Sequence, residues 1–177
     1  EKSEKLVARL DYLSVRDSLT GLYNRRYLLK FLDETVRKHR HDYFIAMFDM
    51  DDFKQINSKY GHSFGDTVIC TVGKLIQKSE DETSGEIVTR YGCEKFIYLI
   101  NAGSEVEAYA KVESIRKAVR LISFEEHPEL QLTISGGLLP CSTKSVVDVN
   151  QLLFRVDELV VSAKKQGKNQ IRNMVEN

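Results

Sequence analysis

Scarcity narrows the possibilities first. Two prolines and ten glycines in 177 residues, with no internal repeat and no low-complexity stretch, leave a chain with few interruptions. With 42% hydrophobic content, that is enough for one sizeable core and too little for two comfortable ones. Charge of neither sign is in excess, since 26 Lys and Arg balance 26 Asp and Glu. That balance excludes the global basic field behind non-specific nucleic-acid binding, so any phosphate site must be local. The three cysteines, Cys70, Cys93 and Cys141, lack metal-ligand spacing. Their odd number makes no closed disulfide framework and fits a reducing cytosol. No apolar run approaches the roughly 20 residues of a membrane helix, and no signal-peptide pattern opens the chain. The expectation is a soluble, cytoplasmic piece without nucleic-acid partner or membrane span. Opening on Glu1 rather than Met, it also reads as cut from a longer protein whose upstream sensor or membrane segment precedes it.

What is present is a clear alternation of elements. Residues 1–16 form a charged helix with Leu6, Leu10 and Leu13 on one stripe. This is either a helix docked on its own domain or the end of a two-helix connector from an upstream sensor. DSLTGLYNRR, residues 17–26, breaks it, and Leu28, Leu32 and Val36 mark the next helix. YFIAMFDM, residues 43–50, is an apolar run ending in acid, as expected of a central strand buried on both faces. A short helix FKQINSKYG, capped by Asp51 or Asp52, stops at Gly61. SFGD then leads to a helix whose buried face is Val68, Val72, Leu75 and Ile76. Residues 86–100, EIVTRYGCEKFIYLI, read as a β-hairpin around a Tyr-Gly-Cys-Glu turn. A helix bearing Val112, Ile115, Val119 and Ile122 follows, then a strand LQLTISGGLL ending in Gly136 and Gly137. A last helix is capped near Asp148 and ends at Gly167, before a short strand around Ile171. Together these predict a single α/β domain on one central mixed sheet flanked by helices.

In that arrangement the end of the first strand meets the hairpin tip, bringing Asp49, Asp51 and Glu94 around one point. Hard divalent cations such as magnesium take oxygen ligands of this kind, although acids at strand ends are more often solvated caps. Lys54, Lys164, Lys165 and Lys168 are candidate phosphate contacts, but lysines closing a helix commonly just complement its dipole. Asn57 and Asp66 flank a glycine-containing turn, where an amide and a carboxylate can read a purine edge or simply form the turn. His62 reads as a hydrogen-bonded turn residue, with no nucleophile near it in sequence.

These residues carry a family resemblance. DSLTGLYNRRYL resembles the GGDEF-domain motif DxLTGLxNRRxL, and FDMDDFKQINSKYGHSFGD resembles DxDxFKxxNDxxGHxxGD in order and spacing. LTISGG sits where the family has TxSxG, and VDELVVSAKKQGKNQI resembles ADxALYxAKxxGRN. Several motifs in the right order, from about Asp17 to Ile171, are far more specific than any one. The resemblance implies a five-stranded mixed sheet akin to the adenylyl cyclase catalytic core, covering 17–177 behind a connector helix at 1–16. It implies the nucleotidyltransferase chemistry of bacterial diguanylate cyclases, in which two GTP-loaded protomers face each other to make cyclic di-GMP. Asp49, the Met50 carbonyl and Glu94 would hold magnesium, Asn57 and Asp66 would hydrogen-bond guanine, and Lys54, Lys164 and Lys168 would hold phosphates. Phe53, Gly92 and Cys93 would line the substrate. The implied partners are GTP, a second copy meeting through the GGDEF face or the N-terminal helix, and an upstream sensor.

The departures set the expectation for activity. The signature reads Gly92-Cys93-Glu94-Lys95-Phe96, so Cys93 replaces a glycine and Lys95 replaces an acid. Thr83 and Glu86 stand where many members carry an RxxD product-inhibition motif, which predicts no such site, and Val160 and Val161 stand in the stretch of the family's tyrosine. A unit charge about 4 Å from a dication at an effective dielectric near 20 interacts by about 8 kcal/mol. Replacing acid by Lys therefore turns a large attraction into repulsion and weakens or empties the metal site. The resulting expectation is a degenerate GGDEF domain acting as a regulatory GTP-binding or dimerisation module. Its alternatives are an active cyclase with Lys95 turned away and an interaction domain that binds no nucleotide.

Overall fold

A computed structural model describes residues 1–38, 40, 42–142 and 148–173. Its centre is β1 (Tyr43–Met50), in which every residue is buried. The sheet has five strands in the order β2-β3-β1-β4-β5, with β2 spanning Ile87–Arg90, β3 Lys95–Asn101, β4 Ile134–Pro140 and β5 Ile171–Arg172. Strand β1 runs antiparallel to both β3 and β4, β2 is antiparallel to β3, and β5 is parallel to β4. A mixed, helix-flanked sheet is what the sequence predicts.

Alternation along β1 divides the core in two. Phe44, Ala46, Phe48 and Met50 face α4 (His62–Gln77) and α5 (Glu105–Arg120), meeting Val68, Val72, Ile76, Val112, Ile115 and Val119. Tyr43, Ile45 and Met47 face α2 (Arg25–Arg37) and α6 (Val149–Lys165), meeting Leu28, Leu32, Leu152, Val156 and Val160. Asp148 caps α6 by accepting from the Gln151 amide, as expected of that residue.

Three expectations need correction. Strand β4 does not end at Gly136 and Gly137 but runs through them to Pro140. Their absent side chains allow close layering: a Cβ at Gly137 would lie 2.6 Å from Leu159 Cβ and 2.8 Å from the Val156 carbonyl. The SFGD segment is not a lead-in, because α4 already begins at His62. Asp52 occupies the N-cap position of α3 (Phe53–Tyr60), yet its side chain caps nothing. Of the two readings of the first helix, the docked one fails: α1 (Lys2–Val15) has no buried residue, and Leu6, Val7, Leu10 and Leu13 are all exposed.

Candidate active site

The carboxyl end of β1 and the β2–β3 tip are locked together. Asp49 is the register partner of Lys95 on β3 and of Ser135 on β4, and the Met50 amide donates to the Glu94 carbonyl at 3.1 Å. Directly opposed side chains share a face of the sheet, so Asp49 and Lys95 both lie on the α2/α6 side. There the Lys95 ammonium pairs with Asp157 of α6 at 3.2 Å.

The three acids do not converge as equals. Asp51 accepts from Thr133 Oγ1 and Ser135 Oγ, each at 2.7 Å, and from the Asn169 amide at 3.1 Å. Its side chain is 2% exposed. It is a bracket tying the end of β1 to β4 and to the loop after α6, and this corrects its expected place in a three-carboxylate cluster. Among the described residues no group of three or more metal-ligating side chains is assembled. What remains is an oxygen set of Asp49, Glu94 and the Met50 carbonyl.

Positive charge already sits in that set. Lys164 Nζ lies 3.4 Å from Asp49 Oδ1, 3.3 Å from Asp51 Oδ1 and 3.4 Å from the Met50 carbonyl. Burial pushes the Asp49 carboxyl above the usual carboxylate range, Lys164 opposes the rise and Glu94 adds to it. The buried Asp49 carboxylate, with the Glu94 charge near enough to raise its pKa and the Met50 carbonyl sharing the Lys164 ammonium with it, offers the oxygen donors that a hard cation takes, so these residues fit magnesium. Lys168 pairs with Asp52 at 2.6 Å, while Lys54 is exposed at the start of α3.

The other half of the site lies where α3 meets α4 at Gly61. Phe53 is buried and Asn57 half-buried, and Asn57 Oδ1 is a buried acceptor with no hydrogen-bond partner. Gly65 makes its room, since a Cβ there would sit 1.9 Å from that oxygen. Asp66 follows on the exposed surface of α4. An orphaned acceptor packed against a glycine is costly unless something donates to it.

Backbone strain gathers at the same place. Among the described residues, the non-glycine residues with positive φ are Asp52 (55°), Lys168 (62°) and Asn169 (48°). All three border the acid end of the site, where strained conformations tend to be held for function. Glu86 is removed from it: its buried carboxylate receives the Asp81 and Asn101 amides and Lys111.

Sequence reading missed four residues. Asp157 receives Lys95, and Gly65 makes space for Asn57. Arg90 donates from Nη1 to Asp17 at 3.2 and 3.3 Å, and from Nε and Nη2 to the Cys93 carbonyl at 3.2 and 3.1 Å. The available signal was an acid in the DSLTGLYNRR motif and a cation two residues before Gly92, neither with an assigned task. Gly92 is half-buried and Cys93 is exposed on the turn.

Comparison with known proteins identifies the family. The family described as "Diguanylate cyclase, GGDEF domain" matches residues 14–170. The diguanylate cyclase DgcM of Escherichia coli K12 is 30% identical over 173 residues, which is 96% of this chain and 41% of DgcM. The chain thus spans about two-fifths of that relative. The coiled coil and GGDEF domain of DgcB from Caulobacter crescentus, solved with c-di-GMP, superposes with a TM-score of 0.88 at 22% identity, over 98% of this chain and 92% of that one. The diguanylate cyclase SiaD of Pseudomonas aeruginosa, solved with its activator SiaC, gives 0.83 at 29% identity, over 98% and 66%. With a family match that covers residues 14–170, the chain belongs to the GGDEF-domain family of diguanylate cyclases.

Proposed function

We propose that this domain binds GTP as a regulatory module of cyclic di-GMP signalling, with cyclase turnover impaired by Lys95. The observation that carries the binding half is the buried, unpartnered Asn57 Oδ1 packed against Gly65. An N–H on the guanine edge satisfies that oxygen, and the exposed Asp66 carboxylate accepts from a second donor on the same edge. Lys54, Lys168 and Lys164 supply positive charge to the phosphates, the last two by exchanging their present carboxylate partners for phosphate oxygens. The Cys93 side chain stands where a glycine would let substrate approach the backbone closely.

Magnesium held by Asp49, Glu94 and the Met50 carbonyl would neutralise phosphate charge and lower the pKa of an attacking 3′-hydroxyl. Lys95 acts against that step by placing a cation opposite Asp49 in the β1–β3 register. Dimerisation supports the regulatory role, because α1 leaves its leucines uncovered. In this reading α1 connects to an upstream sensor and the working unit is cytoplasmic.

A second reading, an active cyclase, is favoured by one contact: the Lys95 ammonium is held by Asp157 at 3.2 Å, which draws its charge toward α6. Titration calorimetry with GTP, with and without magnesium, on the wild type and Asn57→Ala tests the binding. Micromolar to millimolar binding that Asn57→Ala weakens at least about tenfold is expected for a lost charge-free hydrogen bond plus its desolvation. No heat at millimolar GTP would overturn it. Product assays on a forced dimer separate the two readings, since cyclic di-GMP formed at a rate typical of the family refutes impairment.

A further inference from the structure

Between α2, α6 and the signature hairpin lies a cavity of about 390 Å³, a size at which small-molecule sites occur. It shares Lys95 with the signature and none of the residues assigned above to GTP or magnesium. Its apolar lining is graded. Met47 and Leu153 are 1% and 8% exposed, and Leu29 is half-buried beside them. Phe154 of α6 is 65% exposed on the same cavity, so a large aromatic ring is left in water next to a recess that could share its cover.

Charge on this cavity is unbalanced by one. Lys95 and Asp157 answer each other at 3.2 Å, which leaves Arg25, the first residue of α2. Arg37, Arg40, Arg90 and Arg116 each pair with an acid, whereas Arg25 has no carboxylate within ion-pair distance among the described residues. Instead its guanidinium lies over the Tyr91 ring, 4.8 Å from the centroid. Stacking occupies the face of a guanidinium and leaves its N–H edge free for an anion. Such an edge matches a planar oxyanion, to which it donates two parallel bonds. A triphosphate does not fit, because one of the two cations is already neutralised. A cationic ligand does not fit either, since the uncompensated charge is positive.

We propose that this cavity is a second ligand site, which takes a small aromatic monoanion with its carboxylate or sulfonate on Arg25 and its ring against Phe154, above Met47 and Leu153. The site goes beyond the GTP reading and does not depend on it. Its occupant adds a negative charge to the cavity that Lys95 and Asp157 line, so the signature residue that departs from the family is also the one that senses the ligand.

Fluorescence titration of the full chain with anilinonaphthalenesulfonate tests it, with the uncharged N-phenylnaphthylamine as the matched probe. Saturable binding of one sulfonate dye per chain is expected, and the uncharged dye should bind at least about tenfold more weakly for want of a charge-assisted bond. Arg25→Gln should weaken the sulfonate dye by the same factor and bring the two dyes close to equal, while Phe154→Ser weakens both. Both side chains are exposed, so thermal melts should stay unchanged; should Arg25→Gln lower the melt, Phe154→Ser and the dye pair on the wild type decide the matter. Leu10→Ser, on the exposed stripe of α1, should leave the titration unaltered. Binding that never saturates, equal affinity for the two dyes on the wild type, indifference to Arg25→Gln in a folded variant, or loss with Leu10→Ser would each overturn the proposal. A GTP arm keeps the two sites apart. Displacement of the dye by GTP would put it in the nucleotide site and refute a second one, whereas absence of GTP heat in calorimetry refutes nucleotide binding and leaves the dye result standing.

Discussion

Lys95→Glu restores the acid that the family carries and is the sharpest perturbation of this site. Without metal it is unfavourable. It removes an ion pair with Asp157 whose members are 35% and 44% exposed, a contact of about 0.2–1 kcal/mol. It also sets a carboxylate beside Asp157 and opposite Asp49, at about 1 kcal/mol for each like-charged neighbour near 4 Å in a watery dielectric. The expected loss is about 2 kcal/mol, which for a domain of this size lowers Tm by roughly 4–8 °C. With a divalent cation the sign reverses. The direct Coulomb gain of about 8 kcal/mol at an effective dielectric of 20, discounted several-fold for screening, leaves about 2 kcal/mol. That corresponds to about thirty-fold tighter cation binding. Thermal melts with EDTA, magnesium and manganese, with cyclic di-GMP assays on a forced dimer, read both halves. The variant should melt lower in EDTA, recover in millimolar manganese and form more product than the wild type. A variant with no cation response, or a wild type already equal to it in turnover, refutes the assignment of impairment to Lys95.

Three further outcomes follow from the geometry. Gly65→Ala places a methyl on Asn57 Oδ1; helix propensity improves by about 1 kcal/mol, so the melt should hold or rise while GTP binding falls at least about tenfold, and intact binding by calorimetry would remove Asn57 as guanine acceptor. Burial, with a contribution from Glu82 and against the Val88 amide, pushes the Glu80 carboxyl up to about 7. The folded chain then keeps a proton that the unfolded chain has released, so this group's contribution is full below about pH 4.5 and is lost as pH rises toward 7. Glu80→Gln should match the wild type at pH 4.5 and exceed it by about 1 kcal/mol at pH 8 in urea melts, the figure being reduced for the group's partial exposure; parallel pH profiles would refute this. Gly137→Ala, with its methyl 2.6 Å from Leu159 Cβ, should cost about 1–3 kcal/mol or more, visible as a lower urea midpoint.

Fold and framework were legible because they rest on local chemistry. The nearly continuous apolar run from Tyr43 to Met50 has the length and composition expected of a strand buried on both faces, and helix stripes such as Val68, Val72 and Ile76 gave both periodicity and facing. Gly136 and Gly137 misled because glycine commonly ends a strand. Here the requirement comes from α6, whose Val156 carbonyl and Leu159 side chain press on β4 from far along the chain. The site was legible as a set of residue types but not as pairings. Asp157 and Arg90 act through partners 62 and 73 residues away, and no sequence spacing encodes such separations.

Asp49 and Asp51 show why that distinction governs function. In sequence they are equivalent acids two residues apart at the end of one strand. In the fold Asp51 accepts from Thr133, Ser135 and the Asn169 amide and shares Lys164 with Asp49, so most of its hydrogen-bonding capacity joins β1, β4 and the α6 exit. Asp49 faces two lysines: Lys164 by contact at 3.4 Å and Lys95 from the opposing register position. Lys164 lies in the stretch that resembles the family's closing motif, and in the proposed binding mode it exchanges its carboxylate partners for phosphate oxygens. Lys95 is turned instead toward α6, where Asp157 pairs with it at 3.2 Å. The same ion pair thus draws the Lys95 charge toward α6 while the β1–β3 register keeps it opposite Asp49, and Lys95→Glu is the exchange that tests the proposed impairment.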